Sequence, residues 1–168
     1  VTIDNWFHEI IKGNHFFLDG QFPSVASGVT KSFGVTVPSG VTTYHMTFAI
    51  SGSGRTTFEM YEGESSSTLF NGGTAATPKN SNRANTKTST LAIAQMVNHV
   101  QAGVSTILFN KIFGTSGANP AQQGAPGSGS RDSKILFAPG KKYLVLFTSG
   151  AADNDINYTA EWMEIVPH

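Results

Sequence analysis

Apolar and polar residues alternate along most of this chain. Tyr44, Met46, Phe48 and Ile50 are separated by His45, Thr47 and Ala49, the period of two that places one face of a strand in a core and the other in water. The same period recurs in 31–37 through Phe33, Val35 and Val37, and in 56–61, where Phe58 and Met60 oppose Thr57, Glu59 and Tyr61. The Ser51-Gly52-Ser53-Gly54 turn between 42–50 and 56–61 predicts a hairpin of those two strands. Residues 15–18 read as a first strand ended by Asp19-Gly20, and 90–97 as a strand carrying Leu91, Ile93 and Gln95. In 104–113, Ile107, Phe109, Lys111 and Phe113 fall on one face with Leu108 and Ile112 on the other, so cover on both sides is expected. Short 134–137, central-looking 142–148 and closing 156–166 complete the set, the last with Ile156, Tyr158, Ala160, Trp162 and Glu164 on one side. About eight or nine strands punctuated by turn signals predict an all-β, antiparallel sandwich or barrel, read here as a β-sandwich, and the long connections in mid-chain suit a Greek-key or jelly-roll-like order.

Three segments break the alternation. Residues 1–12, with Trp6, Phe7, Ile10 and Ile11, form either an extended N-terminal arm or a short helix ahead of a single sandwich domain over 13–168. Residues 77–89 are polar throughout and read as a long loop. Residues 114–131 hold five glycines and two prolines, a composition that sustains no regular element and marks a second long loop.

Composition narrows the function classes. Eleven basic and eleven acidic residues give a formal net charge of zero, and the cations are scattered, so no nucleic-acid footprint is expected. Only 13% of residues are charged, and a surface so weakly protected against association is expected to be partly covered in an assembly. Cysteine is absent, which excludes disulfides and thiolate chemistry. No run approaches the length of a membrane helix and 1–11 lacks the apolar stretch of a signal peptide, so a soluble chain with no membrane partner is expected. It begins with valine, as a processed chain or a piece of a longer one would.

Candidate chemistry is sparse. Of the five histidines, His8, His15, His45, His99 and His168, none forms a metal-ligand spacing, so no metal and no cofactor is expected. Glu59 with Glu161 or Glu164 offers the carboxylate pair of a glycosidase if a sheet aligns them. Asp153-Asn154-Asp155 supplies oxygen ligands without calcium-loop spacing and reads as a self-capping turn. Serines lack a nucleophile elbow, the glycine-rich stretches lack a phosphate-loop ending, and Asn157-Tyr158-Thr159 matches a glycosylation acceptor. An enzyme is therefore not expected. Trp6, Phe7 and Phe22, in the less regular N-terminal part, are candidates for contacts between subunits, since large apolar groups on an arm need a surface to pack on. Trp6, Tyr61, Tyr158 and Trp162 would be the platform of a carbohydrate- or receptor-binding module.

Several segments together resemble a known family. Gly73-Thr74, then Thr77-Pro78-Lys79-Asn80-Ser81-Asn82-Arg83, then Ser89-Thr90-Leu91 are similar to a pattern in small structural proteins of tailed bacteriophages, the head decoration or cement proteins. Gly13 with His15-Phe16 resembles the opening of that family. Pro139-Gly140-Lys141-Lys142-Tyr143-Leu144 and Tyr158-Thr159-Ala160-Glu161-Trp162-Met163-Glu164 resemble its last two strands. The likeness spans 10–164, with Ser81 and Ala84 standing where the family has a denser cluster of asparagine and arginine. It implies a non-enzymatic sandwich on the outer surface of the virion head, bracing the major capsid protein as a homo-oligomer, a trimer. A tail or baseplate component would share the fold. The matching motif residues are Asn80, Asn82 and Arg83, as capsid contacts or as residues that shape their own loop.

Overall fold

The computed structural model describes residues 5–40, 42–70, 72–96, 105–114 and 135–165. One short helix, α1 (Asn5–Ile11), precedes eleven strands: β1 (His15–Val25), β2 (Thr30–Thr36), β3 (Thr43–Gly52), β4 (Thr56–Glu64), β5 (Thr74–Ala76), β6 (Lys79–Asn80), β7 (Ala92–Met96), β8 (Thr106–Phe113), β9 (Ile135–Phe137), β10 (Lys141–Ser149) and β11 (Asn154–Ile165). They form two antiparallel sheets in a sandwich-like arrangement, a five-stranded one ordered β6-β1-β11-β3-β9 and a six-stranded one ordered β5-β7-β2-β10-β4-β8. The all-β expectation holds. Among the described residues eleven strands rather than eight or nine appear, because the mid-chain excursion adds the short β5 and β6. The loop expected at 114–131 falls, apart from Gly114, outside the described residues.

Among the described residues, no two strands consecutive in sequence are hydrogen-bonded neighbours. The hairpin expected between 42–50 and 56–61 is therefore absent. β3 pairs with β11 and β9, while β4 pairs with β10 and β8 in the other sheet. The glycine-rich link between them is a corner from sheet to sheet, and Asn154 holds it. Its Oδ1 accepts from Gly54 N at 2.7 Å, and its Nδ2 donates to Arg55 O at 3.1 Å and Thr56 Oγ1 at 2.9 Å. Both strands bury the same parity the sequence assigned, but the two faces meet across the core, with Phe48 and Phe58 ring centroids 5.8 Å apart.

The first strand runs past Asp19-Gly20 to Val25. Gly20 pairs with Tyr158 on β11, and a Cβ at Gly20 would lie 2.2 Å from the Tyr158 ring. The glycine is thus a hole for an aromatic ring rather than a turn. That ring stacks on Phe33, Phe147 and Phe22 at the centre of the inter-sheet core. A second, smaller cluster lies on the outer face of the six-stranded sheet, where Leu69 and Phe70 fold over Leu144 and Leu146. Gly34 makes room there, since its Cβ would meet the Phe70 ring at 2.6 Å.

β8 is an edge strand rather than one covered on both faces. A bulge between the Met60–Phe109 and Tyr61–Ile107 pairs leaves Leu108 as the extra residue. It turns Ile107 to the outer face, together with Ile112, and both are about half exposed at 49% and 56%.

Candidate interaction surface

Helix α1 lies on the outer face of the five-stranded sheet. His15, Met163, His45 and Leu136 sit in one row across β1, β11, β3 and β9. Trp6 spans that row, its ring edge-on to His15 at 4.5 Å and to His45 at 6.3 Å between centroids. His15 is buried at 3% exposure. Its Nδ1 shares a hydrogen with Ser81 Oγ at 2.5 Å, and its Nε2 is buried without a partner among the described residues. Burial in apolar surroundings disfavours the charged imidazolium, and the pKa is lowered from 6.5 to about 4.

The helix ends in a Schellman motif. Gly13 adopts φ +74°, Gly13 N donates to Ile10 O at 2.9 Å, and Asn14 N donates to Glu9 O at 2.9 Å. The three carbonyls that follow are each taken by an asparagine of the mid-chain loop. Asn82 Nδ2 donates to Ile11 O at 3.0 Å, Asn85 Nδ2 to Lys12 O at 3.5 Å, and Asn80 Nδ2 to Gly13 O at 2.9 Å. Each asparagine also accepts, at Oδ1, the backbone N–H two residues on, at 2.9 Å (Asn82 N to Asn80), 3.1 Å (Ala84 N to Asn82) and 2.8 Å (Lys87 N to Asn85). Three Asx-turns thus shape the loop while the same side chains hold the helix end. Asn80 also donates to Lys87 O at 3.1 Å. The loop's far end is fixed by Glu164, a buried carboxylate that accepts from Ser89 Oγ (2.6 Å), Thr90 N (3.0 Å), Thr90 Oγ1 (2.8 Å) and Trp162 Nε1 (3.2 Å).

The residues singled out from sequence separate into two groups. Trp6 and Phe7 are both on α1. Trp6 turns inward onto the sheet, whereas Phe7 is 55% exposed, and Ile11, one helical turn on, is 52% exposed. Asn80, Asn82 and Arg83 sit in the loop that grips α1. The side-chain amides of Asn80 and Asn82 are engaged within the chain, so these two shape the loop, and Arg83 is exposed beside them. Phe22 is not in an irregular segment; it lies on β1 and packs on Phe147 and Tyr158, with centroids 5.9 and 5.6 Å away. Ile11 and Asn85 were missed. The spacing of Asn80, Asn82 and Asn85, matched to a helix end at Gly13, was the available signal.

Other candidate chemistry resolves as structure. Trp162 and Tyr158 are buried in the core, which removes half of the proposed aromatic platform. Glu59 is on the six-stranded sheet and Glu161 and Glu164 are on the five-stranded one, so no sheet aligns them. Asp153 has φ +51°, Asn154 holds the sheet-to-sheet corner and Asp155 Oδ1 accepts from Ser24 N at 2.8 Å, so these side chains pin distant segments rather than cap their own turn as expected. Among the described residues no three histidine, aspartate or glutamate side chains come together as metal ligands. His99 and His168 lie outside the described residues.

A scan against protein-family models, a search of curated proteins and a search of solved structures each return no match for this chain.

Proposed function

We propose that this chain is a non-enzymatic structural protein of a tailed-phage particle, a decoration protein that binds the major capsid protein on the outer surface of the head and braces the shell as a homotrimer. The observation that carries a contact role is the rigid display of Phe7 and Ile11 on a helix held at its C-terminal end by three asparagines. Exposed apolar side chains on a fixed element lose little entropy on docking, which favours association. The phage assignment rests on the ordered sequence resemblance over 10–164.

Within this reading the sandwich is a jelly roll. Setting aside β5, β6 and β7 of the mid-chain excursion, eight strands remain in the orders β1-β11-β3-β9 and β2-β10-β4-β8. Most links between these eight cross from one sheet to the other, and such double-sheet frames serve virion and lectin domains alike. A sugar- or receptor-binding module is the second reading, with Trp6 and Tyr61 the half-buried aromatics left from its platform.

Cryo-electron microscopy of the native particle that carries the chain tests this. Copies in a regular array on the head, with α1 toward the shell, are expected. Copies confined to tail or fibres would overturn the head assignment and favour the tail or receptor-binding reading.

A further inference from the structure

The corner formed by α1 and its asparagine-rich loop differs from the rest of the chain in charge. Over 5–14 and 77–90 there are four cations, Lys12, Lys79, Arg83 and Lys87, and one carboxylate, Glu9. Four minus one gives +3 for these two segments, and +2 with the buried Glu164 that holds Ser89 and Thr90, on a chain whose formal net charge is zero. Glu9 is buried and faces inward, accepting from Asn14 Nδ2 at 2.7 Å, with Lys12 Nζ at 3.7 Å and His8 Nδ1 at 3.8 Å. The four cations are all exposed. Arg83 follows Asn82, whose Nδ2 donates to Ile11 O, and Lys87 Nζ donates to Asn14 Oδ1.

We propose that this corner docks onto a protein surface with an apolar cleft for Phe7 and Ile11 and carboxylates around the cleft. This rests on the reading of α1 as the partner-facing surface and adds the chemistry of the partner. The apolar pair supplies the anchor, and the cations at its rim set orientation and association rate. A lipid surface fits less well. The helix has seven residues, is clamped at its C-terminal end and offers two apolar side chains, too small a face for interfacial anchoring. A nucleic acid fits less well too, because the exposed pair offers a single ring, Phe7, where single-strand binding uses successive stacking rings along a basic groove.

The test uses the full chain and a labelled amphipathic peptide of leucine and glutamate, read by fluorescence anisotropy. The variants are Phe7→Ser with Ile11→Ser, and Arg83→Glu with Lys87→Glu, each with its fold verified by its unfolding midpoint. The wild type is expected to bind in a salt-dependent way, and each pair to weaken binding by about ten-fold or more. The charge-reversed pair should regain binding to a leucine and lysine peptide. No binding of the acidic peptide by the folded wild type would overturn the proposal. So would binding indifferent to both pairs, or tighter binding to phosphatidylserine vesicles or to oligothymidylate. Copies arrayed on a head with Phe7 facing solvent would remove this surface and leave the decoration role standing. Peptide binding as expected, with no copies on the head, would do the reverse.

Discussion

The Trp6 indole stands edge-on to the His15 imidazole, 4.5 Å between centroids and 67° between planes, and the Nε2 of that buried ring has no partner among the described residues. The same indole also stands edge-on to His45, 6.3 Å between centroids, and the cause of the His15 shift is burial. Protonation of His15 puts a charge where no water reaches. The folded pKa is about 4 against 6.5 for the free side chain. Between those values the unfolded chain binds a proton that the folded one refuses, so stability falls as pH falls through the window. The slope from this group approaches about 1.4 kcal/mol per pH unit. Urea midpoints measured from pH 7 to pH 4 should show that loss, and His15→Phe should flatten it. Equal slopes in the two proteins would mean that His15 is hydrated in the folded state.

The asparagine clamp predicts a ranked series. Asn82→Ala removes two hydrogen bonds at a half-buried site and should cost about 1 kcal/mol. Asn80→Ala leaves Gly13 O and Lys87 O without their donor at a buried site and should cost about 2 kcal/mol or more. Amide hydrogen exchange should speed up in α1 for both, since the same loop holds the helix end. Loss of stability without faster exchange in α1 would mean the helix does not depend on the clamp.

Glu164 is the anchor at the other end of that loop. Glutamine in its place keeps one acceptor oxygen and turns an NH2 group toward donors. Glu164→Gln should destabilise the fold by about 3 kcal/mol. The near-ultraviolet circular dichroism of Trp162, whose Nε1 donates to this carboxylate, should change with it.

Much of the fold was legible because period-two burial is a local property. Ile156, Tyr158, Ala160, Trp162 and Glu164 all turn to the buried face of β11, as the alternation implies. Pairing was not legible. Among the described residues no ladder joins strands consecutive in sequence, and alternation says which face is buried but not what lies beside it. Gly20 and Leu108 misled for a related reason. A glycine that makes room for a ring across the sheet and a residue that adds a bulge look, in isolation, like a turn and like an ordinary strand position. The clamp was half legible, since asparagines spaced for Asx-turns announce a structured loop. That they reach carbonyls about seventy positions earlier depends on the fold alone.

Two glycines in strands and one in a turn separate crowding from backbone strain. An added Cβ would meet the Tyr158 ring at 2.2 Å from Gly20 and the Phe70 ring at 2.6 Å from Gly34, while at Gly28 nothing lies within 4 Å. Tyr158 is held by three stacked neighbours and by Gln95, whose Nε2 donates to its hydroxyl at 2.7 Å. It cannot yield without disturbing the main core, so Gly20→Ala should cost about 3 kcal/mol. Phe70 lies on an outer flap over Leu144 and Leu146, which can lift. Gly34→Ala should therefore cost less, about 1–2 kcal/mol, with the effect confined to that flap. Gly28 has φ +79°, so Gly28→Ala should lose about 1 kcal/mol through the backbone alone. Urea unfolding of the three variants gives the order Gly20, Gly34, Gly28. A Gly20→Ala protein as stable as the Gly28→Ala one would mean that Tyr158 does not lie across β1.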